Sequence, residues 1–197
     1  MKKGRIEAFS DGVIAIIITI MVLELKVPHG ASIEALQPLF PVFISYILSF
    51  TFIAIYWNNH HHLFQAVEKV NGNILWANMH LLFWLTLIPF VTAWMGENGF
   101  AGWPVALYGL DLLFSGIAYY ILSLTIVAYH GKSSTIAMAL GSDAKGKLSL
   151  VIYAIAVPLS FAQSWVSFAL YVTVAIMWLI PDKRIEKTLF KNNLKEE

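Results

Sequence analysis

Asp11 is an ionisable residue in an unusual place, because it lies inside the apolar run from Arg5 to Lys26. A charged group within a membrane span is costly unless it is paired or hydrated. A helix from Asp11 to Leu25 would reach only about 22 Å, less than the roughly 30 Å of a bilayer core. We therefore expect the helix to begin near Arg5 and Asp11 to bind a partner from another span. The alternative is an N-cap at Ser10 or Asp11.

The candidate partners of Asp11 are Trp57, His61 and Asn78. Trp57 and His61 are four residues apart, so they share one face of a helix. Asn78 lies near the start of the next apolar run, at a depth similar to that of Asp11. Arg5 precedes Asp11 by six residues and lies on another face. These positions predict a hydrogen-bonded network that joins three helices.

The triplet His60-His61-His62 suggests a metal site, but its spacing is unsuitable. Consecutive residues of a helix point about 100° apart, so three in a row cannot ligate one ion. Neither a His-x-x-x-His pair nor a His-Glu-x-x-His motif occurs in the chain. We expect interfacial polar residues with one structural histidine, no metal and no enzyme active site, since no nucleophile–base pair accompanies the triplet.

The elements that must position these residues are membrane spans. Hydrophobic residues make up 58% of the 197 residues, charged residues only 13%, and the mean hydropathy is +0.69. So little polar surface could not cover a soluble globule. The net charge of +1 gives no basis for a nucleic-acid partner, and the lack of cysteine excludes disulfides and thiol chemistry.

The apolar runs predict an all-α membrane protein with about six transmembrane helices. We place the spans at about residues 5–26, 36–63, 73–94, 104–130, 148–161 and 164–180, in one unit of residues 1–182, before a charged cytoplasmic tail, 183–197. A kink is expected at Pro89. The basic N-terminus resembles a secretory signal peptide, but Asp11 interrupts its apolar core, so we expect it to remain as the first span.

The positions of lysine and arginine predict that both termini are cytoplasmic. In that orientation only Lys26 falls on the outer side. The positive residues that fall inside are Lys2, Lys3, Arg5, Lys69, Lys132, Lys145, Lys147, Lys183, Arg184, Lys187, Lys191 and Lys195. The opposite orientation would place almost all of them on the wrong side of the membrane.

The first predicted span also carries a regular stripe, which consists of Gly12, Ile16, Thr19 and Leu23, with Ile20 beside it. A spacing near 3.5 residues is typical of a helix-packing seam, and it suits a pore lining equally well. Spacing alone leaves both alternatives open. The chain contains no Thr-Val-Gly-Tyr-Gly filter, no Arg-rich voltage-sensor helix and no Walker phosphate loop.

The run Arg5-x-x-x-Phe9-Ser10-Asp11, continued through Thr19, resembles the first helix of the endosomal and lysosomal potassium channel family, the transmembrane protein 175 type. Trp57, His61 and the sequence Leu87-Ile88-Pro89-Phe90 are also similar to that family. The resemblance covers essentially the whole chain, although spans four to six match only in character. It implies a potassium channel of the cell membrane, which has lipid and potassium ions as partners and needs no cofactor.

The resemblance further implies an assembly and a pore. Prokaryotic members of the family have one six-span repeat and form homotetramers, whose first helices surround a central pore on a four-fold axis. Ile16 aligns with the aliphatic constriction, Thr19 with a hydroxyl layer implicated in selectivity, and Ile20 and Leu23 with further pore-facing positions. The residues that align with a signature cluster bracing the helix from behind are Arg5, Phe9, Ser10 and Asp11.

One alternative function and the roles of two residues stay open. A secondary transporter could use Asp11, His61 and Asp111 as titrating groups, although no internal repeat is visible. For Asp111 the plain interpretation is a polar contact between spans. Glu24, at the outer end of the first span, either concentrates cations at a pore mouth or pairs with Lys26.

Overall fold

The described part of the chain is helical throughout its regular secondary structure. The computed structural model describes residues 3–67, 69–131, 134, 137 and 143–179, and the predicted tail at 183–197 lies outside them. The elements are α1 (Lys3–Leu23), a 3-10 helix (Ile33–Leu39), α2 (Phe40–Gln65), α3 (Gly72–Leu85), α4 (Ile88–Glu97), α5 (Gly102–His130) and α6 (Ala144–Leu179). The predicted all-α class is confirmed for these residues.

Five helical stretches are long and apolar enough to cross a membrane. They are Lys3–Leu23, Ile33–Gln65, Gly72–Glu97, Gly102–His130 and Ala144–Leu179. The 21 residues of α1 measure about 31 Å, which matches a bilayer core. Because α1 begins at Lys3, Asp11 lies two turns inside the helix, and the alternative of an N-cap at Ser10 or Asp11 is wrong.

The third stretch is interrupted between α3 and α4, close to the kink expected at Pro89. Pro89 stands in the first turn of α4 and has no N–H, so the carbonyl of Leu85, four residues earlier, cannot accept its usual helical bond. Thr86, the first of the two residues between the helices, still donates its N–H to the carbonyl of Leu82 at 3.0 Å. The proline therefore acts about one turn before its own position.

The long element α6 folds back on itself at Gln163, whose φ of −150° and ψ of 83° are not helical. Trp178 Nε1 donates to Ser149 Oγ at 2.8 Å, and Ser167 Oγ donates to the carbonyl of Ala156 at 2.7 Å. These bonds join residues 144–162 and 164–179 as two antiparallel arms. A straight helix of the same length would reach about 54 Å, well beyond a bilayer core.

Two apolar cores hold the helices together, and α5 contributes to both. The first lies between α1, α2, α3 and α5, with Ile53, Leu81 and Leu122 at its centre. The second lies between α2, α4, α5 and α6 and includes Tyr108 and Tyr171. In contrast, α1 contributes one stripe only: its buried residues are Ile6, Ser10, Ile14, Ile17 and Met21.

Candidate functional site

The predicted stripe of α1 lies on the side of the helix that faces away from the rest of the subunit. Ile16 is 60% exposed and Leu23 is 75% exposed, and Gly12, Thr19 and Ile20 are exposed as well. The buried stripe of α1 occupies the opposite side. The five residues therefore do not form a packing seam within the subunit, and this exposed face remains available to other copies of the chain, to lipid or to water.

Thr19 gives the exposed face its one hydroxyl between Gly12 and Leu23. Thr19 Oγ1 donates to the carbonyl of Ala15 at 2.8 Å, one turn earlier on the same helix. The hydroxyl proton is thereby directed along the helix, and the oxygen lone pairs are free to accept from water or to contact a cation. The other side chains of the stripe are aliphatic or absent.

Asp11 and Trp57 form a direct contact between α1 and α2, as the sequence predicted. Trp57 Nε1 donates to Asp11 Oδ1 at 3.0 Å, and both residues are exposed in the single chain. His61 stacks on Trp57, with ring centroids 5.8 Å apart and planes 15° apart. Gln65 Nε2 lies 2.9 Å from His61 Nε2. These four residues are the outer polar network.

A second, buried network joins α1, α2 and α3 through Asn78. Asn78 Nδ2 donates to Ser10 Oγ at 3.0 Å, and Asn78 Oδ1 lies 2.7 Å from His60 Nε2, which must donate because an amide oxygen only accepts. His60 also stacks on Phe64 at 4.5 Å. Ser10, His60 and Asn78 are all at most 2% exposed. These three residues are the inner polar network.

The predicted single network is thus divided in two, and His60 takes the place expected for His61. Adjacent helical residues point about 100° apart, so only one of them can face the interior. His61 follows Trp57 by four residues onto the exposed side of α2. His60 lies seven residues after the buried Ile53 and four before the buried Phe64, and this helical spacing places it on the buried side of α2.

Arg5 and Phe9 do not enter either network. Phe9 is 50% exposed, and Arg5 is exposed and makes no hydrogen bond or ion pair within the described residues. Both continue the exposed face of α1 toward its N-terminus. Their role as a brace behind the helix therefore stays a prediction.

The C-terminal end of α1 is held by an ion pair that the sequence did not predict. Lys26 Nζ lies 2.6 Å from Glu97 Oε1 at the end of α4, and this bond raises the pKa of Lys26 above its usual value. The direct ion pair of Lys26 is with Glu97 and not with Glu24, although the charge of Glu24 also contributes to the raised pKa of Lys26. Glu24 is exposed, with no hydrogen bond or ion pair to any described residue.

Asp111 does not make the polar contact that was expected of it. It is 4% exposed on α5, and neither carboxylate oxygen has a hydrogen-bond partner among the described residues. Asp11 and His61, the other titrating groups of the transporter alternative, belong instead to the outer polar network. The three residues are therefore not joined in one hydrogen-bonded path.

Comparison with known proteins gives one consistent match. The family "Endosomal/lysosomal potassium channel TMEM175" matches residues 5–89. A potassium channel of Chryseobacterium sp. (strain P1-3) is 56% identical over 192 residues, which cover 98% of this chain and 100% of that protein. A potassium channel of Chamaesiphon minutus is 41% identical over 102 residues, 49% of this chain and 50% of the relative.

A solved structure agrees with this match. It is the crystal structure of a lysosomal potassium-selective channel TMEM175 homolog from Chamaesiphon minutus, which superposes with a TM-score of 0.76 at 31% identity. The superposition covers 90% of this chain and 96% of the other. The similarity therefore extends beyond residue 89 to the helices that the sequence alone matched only in character.

Proposed function

Because this chain belongs to the endosomal/lysosomal potassium channel TMEM175 family, which comprises ion channels and not enzymes, we propose that it conducts potassium across the cell membrane as a homotetramer. The first helices of four copies surround the conduction path. The exposed face of α1 supports this proposal, since its stripe is the part of the helix that the subunit leaves uncovered.

The exposed charged residues of α1 favour water or a neighbouring subunit over lipid along the uncovered part of the helix. Asp11 lies two turns inside the helix and is exposed, with only Oδ1 engaged by Trp57. Arg5 is exposed about two turns before it. A carboxylate and a guanidinium would be costly against hydrocarbon, whereas both are stable at a water-filled vestibule or at a neighbouring subunit.

The proposed selectivity arises at Ile16, where four side chains close the pore with an aliphatic ring. Such a ring excludes water and forces an ion to lose part of its hydration shell. Potassium gives up water more readily than sodium, so the ring favours potassium. Thr19, one turn further out, offers an acceptor oxygen to the partly dehydrated ion. Ile20 and Leu23 extend the apolar wall toward the outside.

Glu24 is the residue best placed to concentrate cations at the outer mouth. It follows Leu23 at the end of α1 and is exposed. Lys26 makes its ion pair with Glu97 and has only a weaker charge interaction with Glu24, so Glu24 makes no ion pair with a described residue. A ring of four such carboxylates would raise the local concentration of cations of either kind, without distinguishing between them.

We further propose six spans with both termini cytoplasmic. α3 and α4 together form one span, and the two arms of α6 form two. Contacts between helix ends support this order: Lys26 at the outer end of α1 meets Glu97 at the end of α4, whereas Lys3 Nζ donates to the carbonyl of Gln65 at 3.2 Å. Each contact joins two ends that this topology places on the same side.

The test is flux of potassium and sodium through purified protein in liposomes, with the wild type compared with Ile16→Asn. We expect Ile16→Asn to admit sodium, because an amide hydrates the constriction and removes the dehydration barrier. Val22→Asn is the matched control, since Val22 is exposed on the same helix but outside the stripe. Unchanged potassium-over-sodium selectivity in Ile16→Asn would contradict the assignment of the constriction.

A further inference from the structure

Asp111 and Ser115 on α5 present an unexplained pair of buried polar groups. Asp111 is 4% exposed and Ser115 is 0% exposed. Both carboxylate oxygens of Asp111 and the hydroxyl of Ser115 lack a hydrogen-bond partner, and no other buried side-chain polar atom of the described residues does. Because the two residues are four apart, they lie one turn apart on the same face of α5.

Ser115 departs from the other hydroxyl residues of its helix. Ser123 Oγ donates to the carbonyl of Tyr119 at 3.0 Å, and Thr125 Oγ1 donates to that of Ile121 at 2.7 Å. Ser115 makes no such bond to the carbonyl four residues back, which is that of Asp111. Its hydroxyl is therefore free to accept from a donor on the same face.

The surroundings of Asp111 contain hydroxyl groups and no cation. The titratable groups that face it are Tyr56 from α2 and Tyr108 from its own helix. Tyr153 and Tyr171 of α6 lie next to these two tyrosines. Thr92, the polar residue of α4 in this region, donates to Ser49. No lysine, arginine or histidine among the described residues contacts the carboxyl group.

An ionised carboxylate at this position would have no counter-charge and makes no hydrogen bond as the side chains stand, which is a costly way to bury an acid. The neutral acid avoids that charge and gains one O–H donor. We propose that Asp111 is a proton-binding site inside each subunit, which holds its proton in the folded channel. The proposal does not depend on which ion the channel conducts.

The proposed site lies away from the exposed face of α1 and acts on the packing of α2, α5 and α6. Release of the proton would leave a negative charge in the second apolar core. Because the folded chain holds a proton that the unfolded chain releases above about pH 4, stability must fall as the pH rises, up to the pH at which the folded acid ionises. The expected slope is about tenfold in the unfolding equilibrium constant per pH unit.

Infrared spectroscopy tests the proton directly. We expect wild-type protein in lipid at neutral pH to show the carbonyl band of a protonated carboxylic acid. Asp111→Asn should lose the band, whereas Ser115→Ala should keep it, because Ser115 makes no hydrogen bond to the carboxyl group. Asp143→Asn is the matched control and should leave the band unchanged, since Asp143 Oδ1 accepts from the Gly146 N–H at the start of α6.

Unfolding in mixed micelles from about pH 4 up to neutral pH provides the second measurement, because the slope begins where the unfolded acid ionises. We expect the pH slope of the wild type to be lost in Asp111→Asn and kept in Asp143→Asn. A wild-type spectrum without the protonated band at neutral pH would overturn the proposal. So would stability that depends on potassium or sodium in the wild type but not in Asp111→Asn, because that result would indicate a bound cation in place of the proton.

Discussion

Asn78→Leu is the substitution that most directly tests how α1 is held to the rest of the subunit. It removes an amide that bonds to Ser10 at 3.0 Å and to His60 at 2.7 Å, while keeping a side chain of similar size. Hydrogen bonds between membrane helices contribute about 0.6 kcal/mol on average. Each buried group left unpaired costs about 1–3 kcal/mol. We expect the free energy of unfolding to fall by about 2–4 kcal/mol.

The assay is reversible unfolding in mixed micelles, extended to a double-mutant cycle with Ser10→Ala. Ser10 and Asn78 contact each other directly, so their effects should not add. We expect a coupling energy of about 0.5–1.5 kcal/mol. Asn73→Leu is the matched control, because Asn73 is exposed on the same helix, and its effect should stay within about 0.5 kcal/mol.

Two results would refute this reasoning about the inner polar network. One is a loss below about 0.5 kcal/mol for Asn78→Leu, which would mean that the bonds add nothing to stability. The other is full additivity in the cycle with Ser10→Ala, which would mean that α1 is not held through this contact.

Two further perturbations concern the end of the subunit at which α1 meets α4. Gly96→Ala would place a methyl carbon 2.7 Å from Val42 Cα, so we expect thermal unfolding to show a loss of about 1–3 kcal/mol in stability. Gly12→Ala is the control and should not destabilise the protein, because nothing lies within 4 Å of the added carbon. The ion pair with Glu97 raises the pKa of Lys26 in the folded protein. The pair therefore stabilises the fold fully below the ordinary lysine pKa of about 10.4, and this stabilisation is lost as the pH rises through the higher pKa of the folded state. Unfolding curves of Lys26→Gln should lack that alkaline decline, and salt should reduce the wild-type effect; a decline that persists in Lys26→Gln would contradict this.

The placement of Asp11 could be predicted from length alone. A span must reach about 30 Å, so α1 had to begin before Asp11, and the spacing of Trp57 and His61 identified the face of α2 that meets it. The choice between His60 and His61 could not be made so simply. It depends on which side of α2 is buried, and a helix that is apolar nearly all round gives little periodic contrast.

Other features depend on contacts between distant segments. No pattern within α5 indicated that Asp111 would have no partner, because the missing donor is a property of the neighbouring helices. Likewise, the stripe spacing of α1 could not distinguish a seam from a pore lining, whereas the exposure of Ile16 and Leu23 excludes a seam within the subunit. The partner of Lys26 comes from the end of α4, and only the fold brings Glu97 there.

The contacts that hold α1 to the rest of the subunit along its length limit how a pore built from this helix could open. Lys3 and Lys26 secure its two ends, and the bonds of Ser10 and Asp11 secure the helix between them. A helix attached at four points cannot pivot about one end independently of its subunit. Ile16 is β-branched and confined to one preferred rotamer in a helix, so a change of rotamer at Ile16 is a poor way to open the pore. Dilation of such a pore must therefore move whole subunits relative to one another.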